Sequence, residues 1–302
     1  MKKGKITGEL KNKSKDLMTV EWKNNQVVMI DQTKLPGKLV FLRYKKYEDV
    51  ARAIERLIVR GAPAIGIAAA FGMSLAAISS KAKTHTALLR DLKIAYDRLR
   101  STRPTAVNLA WALDKIMSVA TSKTNVEDIK KSILLSALNM ATDDITTNKK
   151  LGMNGAGIIG NDEVILTHCN AGSLATVTYG TALGVLRAAN DMGKKIQVIA
   201  TETRPVMQGS RLTAFELDYY NIDVSLIPDT AVGYLMSKGK INRVIVGADR
   251  ILKTGHVYNK IGTYQVAALS KRHNIPFYVA APVSTFDLSS NVNEVVIEER
   301  NK

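Results

Sequence analysis

The sequence predicts an α/β protein: a mostly helical N-terminal domain, then a Rossmann-like domain with a parallel sheet covered by helices on both faces. Two observations support this. Helical periodicity dominates the first half of the 302 residues, and β-branched runs alternating with helical stretches dominate the second half. Nearly continuous apolar strands joined through helices are typical of parallel sheets buried on both faces. We place the domains at 1–122 and 123–302, the second beginning with a linking helix.

The first domain is predicted to open with short strands and to continue with helices. Residues 18–43 resemble strands around a DQTKLPGK turn, and apolar positions then recur at helical spacing as far as about residue 148. Asn125 or Thr124 is expected to cap the last of these helices. Residues 61–80 lack any charge and could span a membrane by length. Their small residues and Pro63 favour a tightly packed core helix instead.

The second domain is predicted from short β-branched runs separated by helix-like stretches. The predicted strands are 164–168, 195–201, 223–227, 243–248, 276–281 and 294–299. A helix is expected over 174–191, directly after the first strand and a short polar run. The glycine-rich segment 152–157 (GMNGAG) is predicted to be a flexible loop, because it matches neither a Walker A nor a dinucleotide-binding pattern.

Charge and cysteine content restrict the class of protein. The net charge is +16, with +14 in residues 1–150 and +2 in the remainder. A basic half can indicate nucleic-acid binding, but these charges lie on helices without interleaved aromatic residues. We therefore expect a solvated lysine-rich face and no nucleic-acid partner. The single cysteine excludes an intrachain disulfide and suits a reducing compartment. The histidine spacing predicts no metal site.

The N-terminal lysines are not followed by an apolar stretch, so no signal peptide is expected. Together with the cysteine content, this predicts a cytoplasmic protein that does not associate with a membrane.

Candidate catalytic residues follow two predicted strands. Ligands of open parallel sheets bind beyond the carboxyl ends of the strands, where Cys169 and Asp249 lie. Cys169 is either a small buried hydrophobe or a thiol at a helix N-terminus, where helix N–H groups favour the thiolate and an apolar pocket opposes it. Asp249 either caps a helix, pairs with Arg250 or transfers protons. A thiol and a carboxylate without metal suit proton transfer better than hydrolysis.

A phosphate-sized anion could bind at two other places. Arg60, Gly61 and Ala62 precede the apolar helix, where free N–H groups and a guanidinium form an anion site. Asn259 and Lys260 similarly lie in a polar loop that leads into a helix. A plain helix start is the alternative interpretation of both segments.

Several longer motifs resemble the methylthioribose-1-phosphate isomerase family. They are VRGAPAIGIAAAFG, RPTAVNLAWAL, ILTHCNAGSLATVTYGTALGVLRAA, ETRPVMQGSRLTAFEL, VIVGADRI and NKIGTYQVAALSKRHNIPFYVAAPVSTFD. The similarity runs from about residue 18 to residue 299. HCNAG and GADRI are shared with ribose-1,5-bisphosphate isomerase and with regulatory subunits of translation initiation factor 2B. The other blocks are more specific to the methylthioribose enzymes.

The resemblance implies an aldose–ketose isomerase of methionine salvage that converts 5-methylthioribose 1-phosphate to 5-methylthioribulose 1-phosphate, without a cofactor and usually as a homodimer. It maps the catalytic residues onto Cys169 and Asp249. It maps the phosphate and sugar contacts onto Arg60, Gly61, Ala62, Arg103, Gln208, Asn259 and Lys260. Family members generally continue past the IEER segment with a run resembling Asn-Pro-Ala-Phe-Asp, which this sequence does not contain.

Two alternatives stay open at this point. One is an isomerase of another 5-substituted ribose 1-phosphate, such as 5-deoxyribose 1-phosphate or ribose 1,5-bisphosphate. The other is a non-enzymatic regulatory subunit similar to those of initiation factor 2B. Within the isomerase hypothesis, the hydrogen moves between C2 and C1 either as a proton through an enolate or as a hydride.

Overall fold

The computed structural model describes residues 16–295. It opens with an antiparallel three-stranded sheet in the order β1–β2–β3. These strands are β1 (Val20–Lys23), β2 (Gln26–Ile30) and β3 (Phe41–Tyr44). Val20, Val27 and Met29 face inward and join the core of the helical domain. The sheet and its turn therefore agree with the prediction for residues 18–43.

Five helices follow, and α2 forms the centre of their packing. They are α1 (Tyr47–Glu55), α2 (Ala62–Ser79), α3 (His85–Arg100), α4 (Val107–Thr121) and α5 (Val126–Ala156). Helix α2 contacts the other four. It is built mainly of alanine, glycine and large apolar residues. Gly66 lets α4 approach closely, because a Cβ there would lie 2.8 Å from the Asn108 carbonyl oxygen.

Within residues 16–295, α2 alone is long and apolar enough to cross a membrane by length and composition. In the structure 78% of that span is buried inside the protein. The predicted core helix is therefore what the structure contains.

The second domain contains a five-stranded, wholly parallel sheet in the order β10–β7–β4–β5–β6. Its strands are β4 (Glu163–Thr167), β5 (Ile196–Thr201), β6 (Asp223–Ile227), β7 (Arg243–Val246) and β10 (Phe277–Val279). Its helices are α6 (Ala182–Asp191), α7 (Ala214–Tyr219), α8 (Val232–Ser237) and α9 (Thr263–Arg272). The chain starts at the central strand, builds one side, and then crosses to the other.

Both faces of this sheet are covered. Ile165 and Val198 pack with α5 and α6, whereas the next residues along each strand, Leu166 and Ile199, pack with α8 and α9. This alternation confirms the predicted α/β fold class. The boundary between the two domains stays a prediction, because α5 packs along its length against α2 and α4 and then against α6.

A second, small sheet was not predicted. It consists of β8 (Arg250–Leu252), β9 (Val257–Tyr258) and β11 (Phe286–Asp287). Strands β8 and β9 form an antiparallel hairpin, and β11 pairs parallel to β8. This sheet follows β7 immediately and so determines how the chain continues past Asp249.

The flexible loop predicted at 152–157 is wrong, because residues 152–156 form the end of α5 and Gly157 is its C-cap. A Cβ at Gly152 would lie 2.7 Å from the Tyr179 ring and 2.8 Å from the Gly184 carbonyl oxygen. A Cβ at Gly155 would overlap the Val185 side chain. The glycines therefore allow α5 and α6 to pack closely.

Two further predictions concern helix ends and the C-terminus. The helix predicted over 174–191 begins only at Ala182. Asn125 does cap α5, because its side-chain oxygen accepts hydrogen bonds from two N–H groups of the first turn, at 2.9 and 3.1 Å. The strand predicted at 294–299 lies mostly outside the described residues.

Candidate active site

The loops after β4 and β7 come close together at the carboxyl edge of the parallel sheet, because the charge of Asp249 acts on the Cys169 thiol; we call the region between these loops the cleft. Arg60 and Lys260 both influence the ionisation of Cys169 and of Asp249. Arg103 also acts on Asp249. The structure thus brings together five of the nine residues predicted for the site. A thiol and a carboxyl group lie among three cationic side chains.

The backbone at Cys169 is strained and held on both sides. Its φ angle is +67°, which is uncommon for a residue other than glycine. Its N–H donates to Thr203 Oγ1 at 2.9 Å, and its carbonyl accepts from Thr213 Oγ1 at 2.6 Å. Thr203 itself is buried with a φ of +62°. Strained backbone of this kind concentrates at functional sites, where the surrounding structure stabilises it.

Cys169 does not lie at the N-terminus of an α-helix, so that expectation is wrong. The segment after it is irregular apart from a short 3₁₀ turn at Ser173–Ala175, and α6 begins at Ala182. Burial raises the pKa of the Cys169 thiol, while the positive charges of Arg60 and Lys260 oppose that rise. The protonated thiol is therefore favoured, which suits a proton donor.

Asp249 lies between β7 and β8, so the helix-capping interpretation does not apply. Its N–H donates to the Tyr258 carbonyl at 2.9 Å, which holds the residue at the start of the β8–β9 hairpin. Its side chain keeps access to solvent at the cleft. The protein around it nevertheless raises its pKa by desolvation, against the lowering effects of Lys260, Arg60 and Arg103.

Arg60 is positioned by the loop that follows Cys169. Its guanidinium donates to the Asn170 carbonyl at 3.2 Å and also to Asn170 Oδ1. The Asn170 amide in turn donates to Glu216 Oε1 at 2.8 Å. Glu216 also accepts the N–H groups of Ser173, at 2.6 Å, and of Leu174, at 3.1 Å. Burial raises the pKa of Glu216.

Gly61 is one of the places where the helical domain contacts the Rossmann-like domain. Its φ is +95°, and a Cβ on it would lie 2.5 Å from the Ala175 Cα. The first helical hydrogen bond of α2 runs from Ile65 N–H to the Gly61 carbonyl, at 3.0 Å. The N–H groups before Ile65, including that of Ala62, therefore have no partner within the helix. With Arg60 beside them, they favour an anion.

Of the remaining predicted residues, Asn259 lies in the loop before α9, and Gln208 lies at the start of the helical segment that leads into α7. Asn259 donates from Nδ2 to Thr263 Oγ1 at 3.0 Å, which orders the loop that carries Lys260 into α9. Gln208 follows β5 and is buried, and its Oε1 atom has no hydrogen-bond partner in the described structure. That oxygen is free to accept from a ligand hydroxyl.

Arg103 comes from the helical domain, and Arg250 ties its loop to the Rossmann-like domain. Arg250 Nη2 donates to the Thr105 carbonyl at 3.1 Å. Arg250 also pairs with Asp287 at 3.4 Å, and not with Asp249 as one interpretation of the sequence suggested.

Sequence reasoning missed the residues that support the cleft. Asn170 lies in the polar HCNAGS run, which was itself a signal. Glu216 is a lone acid in the apolar helical stretch TAFEL, and a buried charge of this kind is rare without partners. Nothing in the local sequence indicates the strained conformation of Thr203. Over residues 16–295, no cluster of three His, Cys, Asp or Glu side chains is placed to hold a metal ion.

Comparison with known proteins identifies the family. The model of the initiation factor 2 subunit family matches residues 58–302, and this chain belongs to that family. A putative methylthioribose-1-phosphate isomerase of Methanocaldococcus jannaschii is 53% identical over 96% of this chain and 84% of its own length. The methylthioribose-1-phosphate isomerase of Geobacter metallireducens is 50% identical over 94% of this chain and 83% of its own. The sequence resemblance is thereby confirmed.

Two solved structures agree in fold but differ in description. The 5-methylthioribose 1-phosphate isomerase of Pyrococcus horikoshii has a TM-score of 0.87 and 45% identity, covering 94% of this chain and 80% of that one. A protein of A. fulgidus described as subunit delta of translation initiation factor eIF-2B has a TM-score of 0.84 and 49% identity, covering 95% and 84%.

Proposed function

We propose that this protein is an aldose–ketose isomerase that converts 5-methylthioribose 1-phosphate to 5-methylthioribulose 1-phosphate in methionine salvage. The observation that carries the proposal is the cleft itself. It combines two groups able to transfer protons, Cys169 and Asp249, with the cations Arg60 and Lys260. Identities of about 50% to methylthioribose-1-phosphate isomerases over nearly the whole chain support the same activity.

The reaction has a specific difficulty that this cleft suits. Phosphate on the anomeric oxygen prevents simple opening of the ring to an aldehyde. A proton must therefore reach the ring oxygen as its bond to C1 breaks. The hydrogen on C2 then moves to C1, and the C2 hydroxyl loses its proton to become the ketone. No atoms are gained or lost overall, so the cleft has to supply acid and base groups and exclude water.

We assign the acid and base work to Cys169 and Asp249. Desolvation raises the pKa of both groups, so each holds its proton more tightly than in water. One of the two groups would protonate the ring oxygen, and one would take up the proton from the C2 hydroxyl. Arg60, the N-terminus of α2 and Lys260 would hold the phosphate, and Gln208 Oε1 would accept from a sugar hydroxyl.

Turnover by the purified protein tests the activity directly. Phosphorus NMR of 5-methylthioribose 1-phosphate with the protein should show conversion to the ketose phosphate. Parallel samples of 5-deoxyribose 1-phosphate and ribose 1,5-bisphosphate compare the alternative substrates. Faster conversion of either would reassign the substrate while keeping the reaction class.

Replacement of Asp249 by Asn tests its assigned role. The variant keeps the shape of the side chain and removes proton transfer, so the rate should fall by about 10²–10⁴-fold. Its thermal midpoint should stay close to that of the wild type, because Asp249 lies at the cleft surface. Nearly full turnover would return Asp249 to a structural role.

The phosphate assignment has its own test. Replacement of Lys260 by Met removes one charged contact. The KM for the substrate and the inhibition constant for inorganic phosphate should then rise together. Lys240, an exposed lysine before β7, provides a matched control when it is also changed to Met. Equal phosphate inhibition in the two variants would remove Lys260 from the phosphate site.

A non-enzymatic subunit of an initiation factor is the second candidate. The description of the A. fulgidus relative and the charge of +14 in residues 1–150 favour it. Retention of RNA that falls steeply with salt, in a protein without turnover, would support this candidate over the isomerase.

A homodimer in the cytoplasm completes the proposal. The family resemblance supports the dimer, and the single cysteine suits a reducing compartment. Light scattering on a sizing column should give twice the chain mass of 33.0 kDa. A monomer would withdraw that part of the proposal without affecting the chemistry.

A further inference from the structure

His168 lies between β4 and Cys169, and both of its ring nitrogens are engaged. Nδ1 lies 2.7 Å from Thr201 Oγ1, and Nε2 lies 2.7 Å from the Ile261 carbonyl oxygen. The residue is 2% exposed. Ile261 directly follows Lys260, so one imidazole joins the strand that carries the thiol to the loop that carries the phosphate-binding lysine.

The chemistry of the partners determines the direction of these hydrogen bonds. A carbonyl oxygen only accepts, so Nε2 carries the hydrogen and donates to Ile261. Nδ1 therefore accepts from the Thr201 hydroxyl when the ring is neutral. Burial lowers the pKa of His168, which favours that neutral form.

The same network reaches the backbone of Cys169. Cys169 N–H donates to Thr203 Oγ1 at 2.9 Å, and the hydroxyls of Thr203 and Thr201 are 3.2 Å apart. The hydrogen bonds all point in one direction when the Thr203 hydroxyl donates to the Thr201 hydroxyl, which in turn donates to His168 Nδ1. His168 Nε2 then donates to the Ile261 carbonyl. Such chains strengthen cooperatively in a buried environment.

The imidazole also packs directly against the loop. Gly262 has a φ of +97°, and a Cβ on it would lie 2.8 Å from His168 Cε1. The Ile261 side chain is 74% exposed, so it does not anchor the loop through burial. The position of this segment therefore depends on its backbone contacts. One of them is the hydrogen bond from the buried His168 Nε2 to the Ile261 carbonyl, at 2.7 Å.

We propose that His168 is a positioning residue, which fixes the Asn259–Gly262 loop relative to Cys169 through its Nε2 hydrogen bond to Ile261. The inference rests on the proposed function in one respect, namely that this loop holds the substrate phosphate. His168 does not touch substrate in this proposal. It determines the position of Lys260 when the phosphate binds.

Two amide variants separate the two hydrogen bonds. In His168→Gln the side-chain NH₂ reaches roughly the position of Nε2 and can still donate to Ile261. In His168→Asn the side-chain oxygen can replace Nδ1 as the acceptor from Thr201, but no donor reaches Ile261. Both variants remove the buried ring, so a change that they share reports the general loss of packing.

For His168→Asn we expect the KM and the inhibition constant for inorganic phosphate to rise together by about tenfold, the size of one buried hydrogen bond. The kcat should change much less. His168→Gln should keep the phosphate constant within about threefold of the wild type. Hydrogen exchange of the backbone across 259–266 should accelerate in the Asn variant and stay protected in the Gln variant.

Hydrogen exchange and calorimetric phosphate binding do not depend on turnover, so they separate this inference from the proposed activity. Suppose that the wild type has no isomerase activity but that the Asn and Gln variants differ in hydrogen exchange as expected. The proposed function would then be overturned, and the positioning role of His168 would be kept. Equal exchange and equal phosphate affinity in the two variants would overturn the positioning role. If the Asn variant does not fold, Thr201→Val removes the donor to Nδ1 and should give the same changes at smaller size; no change there would also overturn it.

Discussion

Two regions of this protein bury side chains of opposite polarity. The core around α2 consists of alanine, leucine and other apolar side chains on regular helices. The loops after β4 and β5 instead bury polar side chains, namely His168, Asn170 and Thr203, and their backbone is strained at Cys169 and Thr203. Burial in the first region stabilises the fold. In the second region it excludes water from polar groups that must be held in fixed positions.

The difference predicts how each region responds to substitution. An apolar core loses stability in proportion to the contacts that are removed. A strained polar loop is stabilised by its surroundings, so a conservative change there can leave the fold intact and alter the chemistry. Stability and activity should therefore separate between the two regions.

The largest expected effect is on activity, at Cys169. Cys169→Ser offers a hydroxyl, which is a far weaker acid than a thiol, so isomerisation should fall by about 10²–10⁴-fold. Substrate binding and the thermal midpoint should change little. Alkylation of the wild type should inactivate it, and substrate should protect it. Alkylation at Cys169 with turnover intact would favour a purely structural thiol and would remove the contrast between the regions.

The next effect is on stability, at the centre of the helical core. Phe71 is 1% exposed and packs against the Trp22 ring at 5.8 Å between centroids. Phe71→Ala should lower the free energy of unfolding by about 3–5 kcal/mol, measured by urea denaturation. The KM of the folded protein should stay unchanged. Phe71→Leu serves as the milder control, and a changed KM in both variants would contradict the separation.

A smaller effect is expected where α5 meets α6. Gly155→Ala places a methyl group against Val185, which should cost about 1–3 kcal/mol by overpacking. Val185→Ala in the same chain should recover part of that loss. Gly233→Ala in α8 is the control, because the added methyl would lie 3.5 Å or more from its neighbours. Equal stability of the Gly155 and Gly233 variants would refute the close-packing explanation of the GMNGAG segment.

A further effect is a dependence on pH at Asp144 of α5, which accepts the Val177 N–H at 2.8 Å. Burial raises the pKa of Asp144 from 3.8 to about 6. The native state thus binds this proton more tightly than the unfolded chain does. Stability should fall as the pH rises from about 4 to about 6 and should then level off.

Asp144→Asn should remove this slope while the contact to Val177 persists. Urea denaturation between pH 4 and pH 7 measures the effect, and its exposed neighbour Asp143, changed to Asn, is the control. A slope that survives in Asp144→Asn would place the titrating group elsewhere.

The sequence predicted those features whose cause lies within a single segment. Twenty uncharged residues with helical character were enough to predict α2 as a core helix. The rule that ligands bind beyond parallel strands was enough to bring Cys169 and Asp249 to one edge. Asn125 was recognisable as a cap because the cap and the N–H groups it accepts are neighbours in the chain.

Features that depend on distant partners were not predictable. The glycines of 152–157 are typical of a loop until Val185 and Tyr179 are known to lie against them. The direction of the Cys169 pKa shift depends on burial and on the charges of Arg60, Lys260 and Asp249, which are distant in sequence. Strands β8, β9 and β11 contain two or three residues each, which is too few for a periodic pattern.

The first turn of helix α2 and its body have different surroundings, and this difference has a consequence for measuring ligand binding. It begins at Gly61 in the cleft, and its body fills the centre of the helical core. Any anion that binds at its first turn is therefore thermodynamically linked to the unfolding of that core. A ligand at 100 times its dissociation constant would stabilise the native state by about 2.7 kcal/mol. Melting curves recorded with a panel of sugar phosphates would accordingly rank their affinities, even for compounds that are never converted.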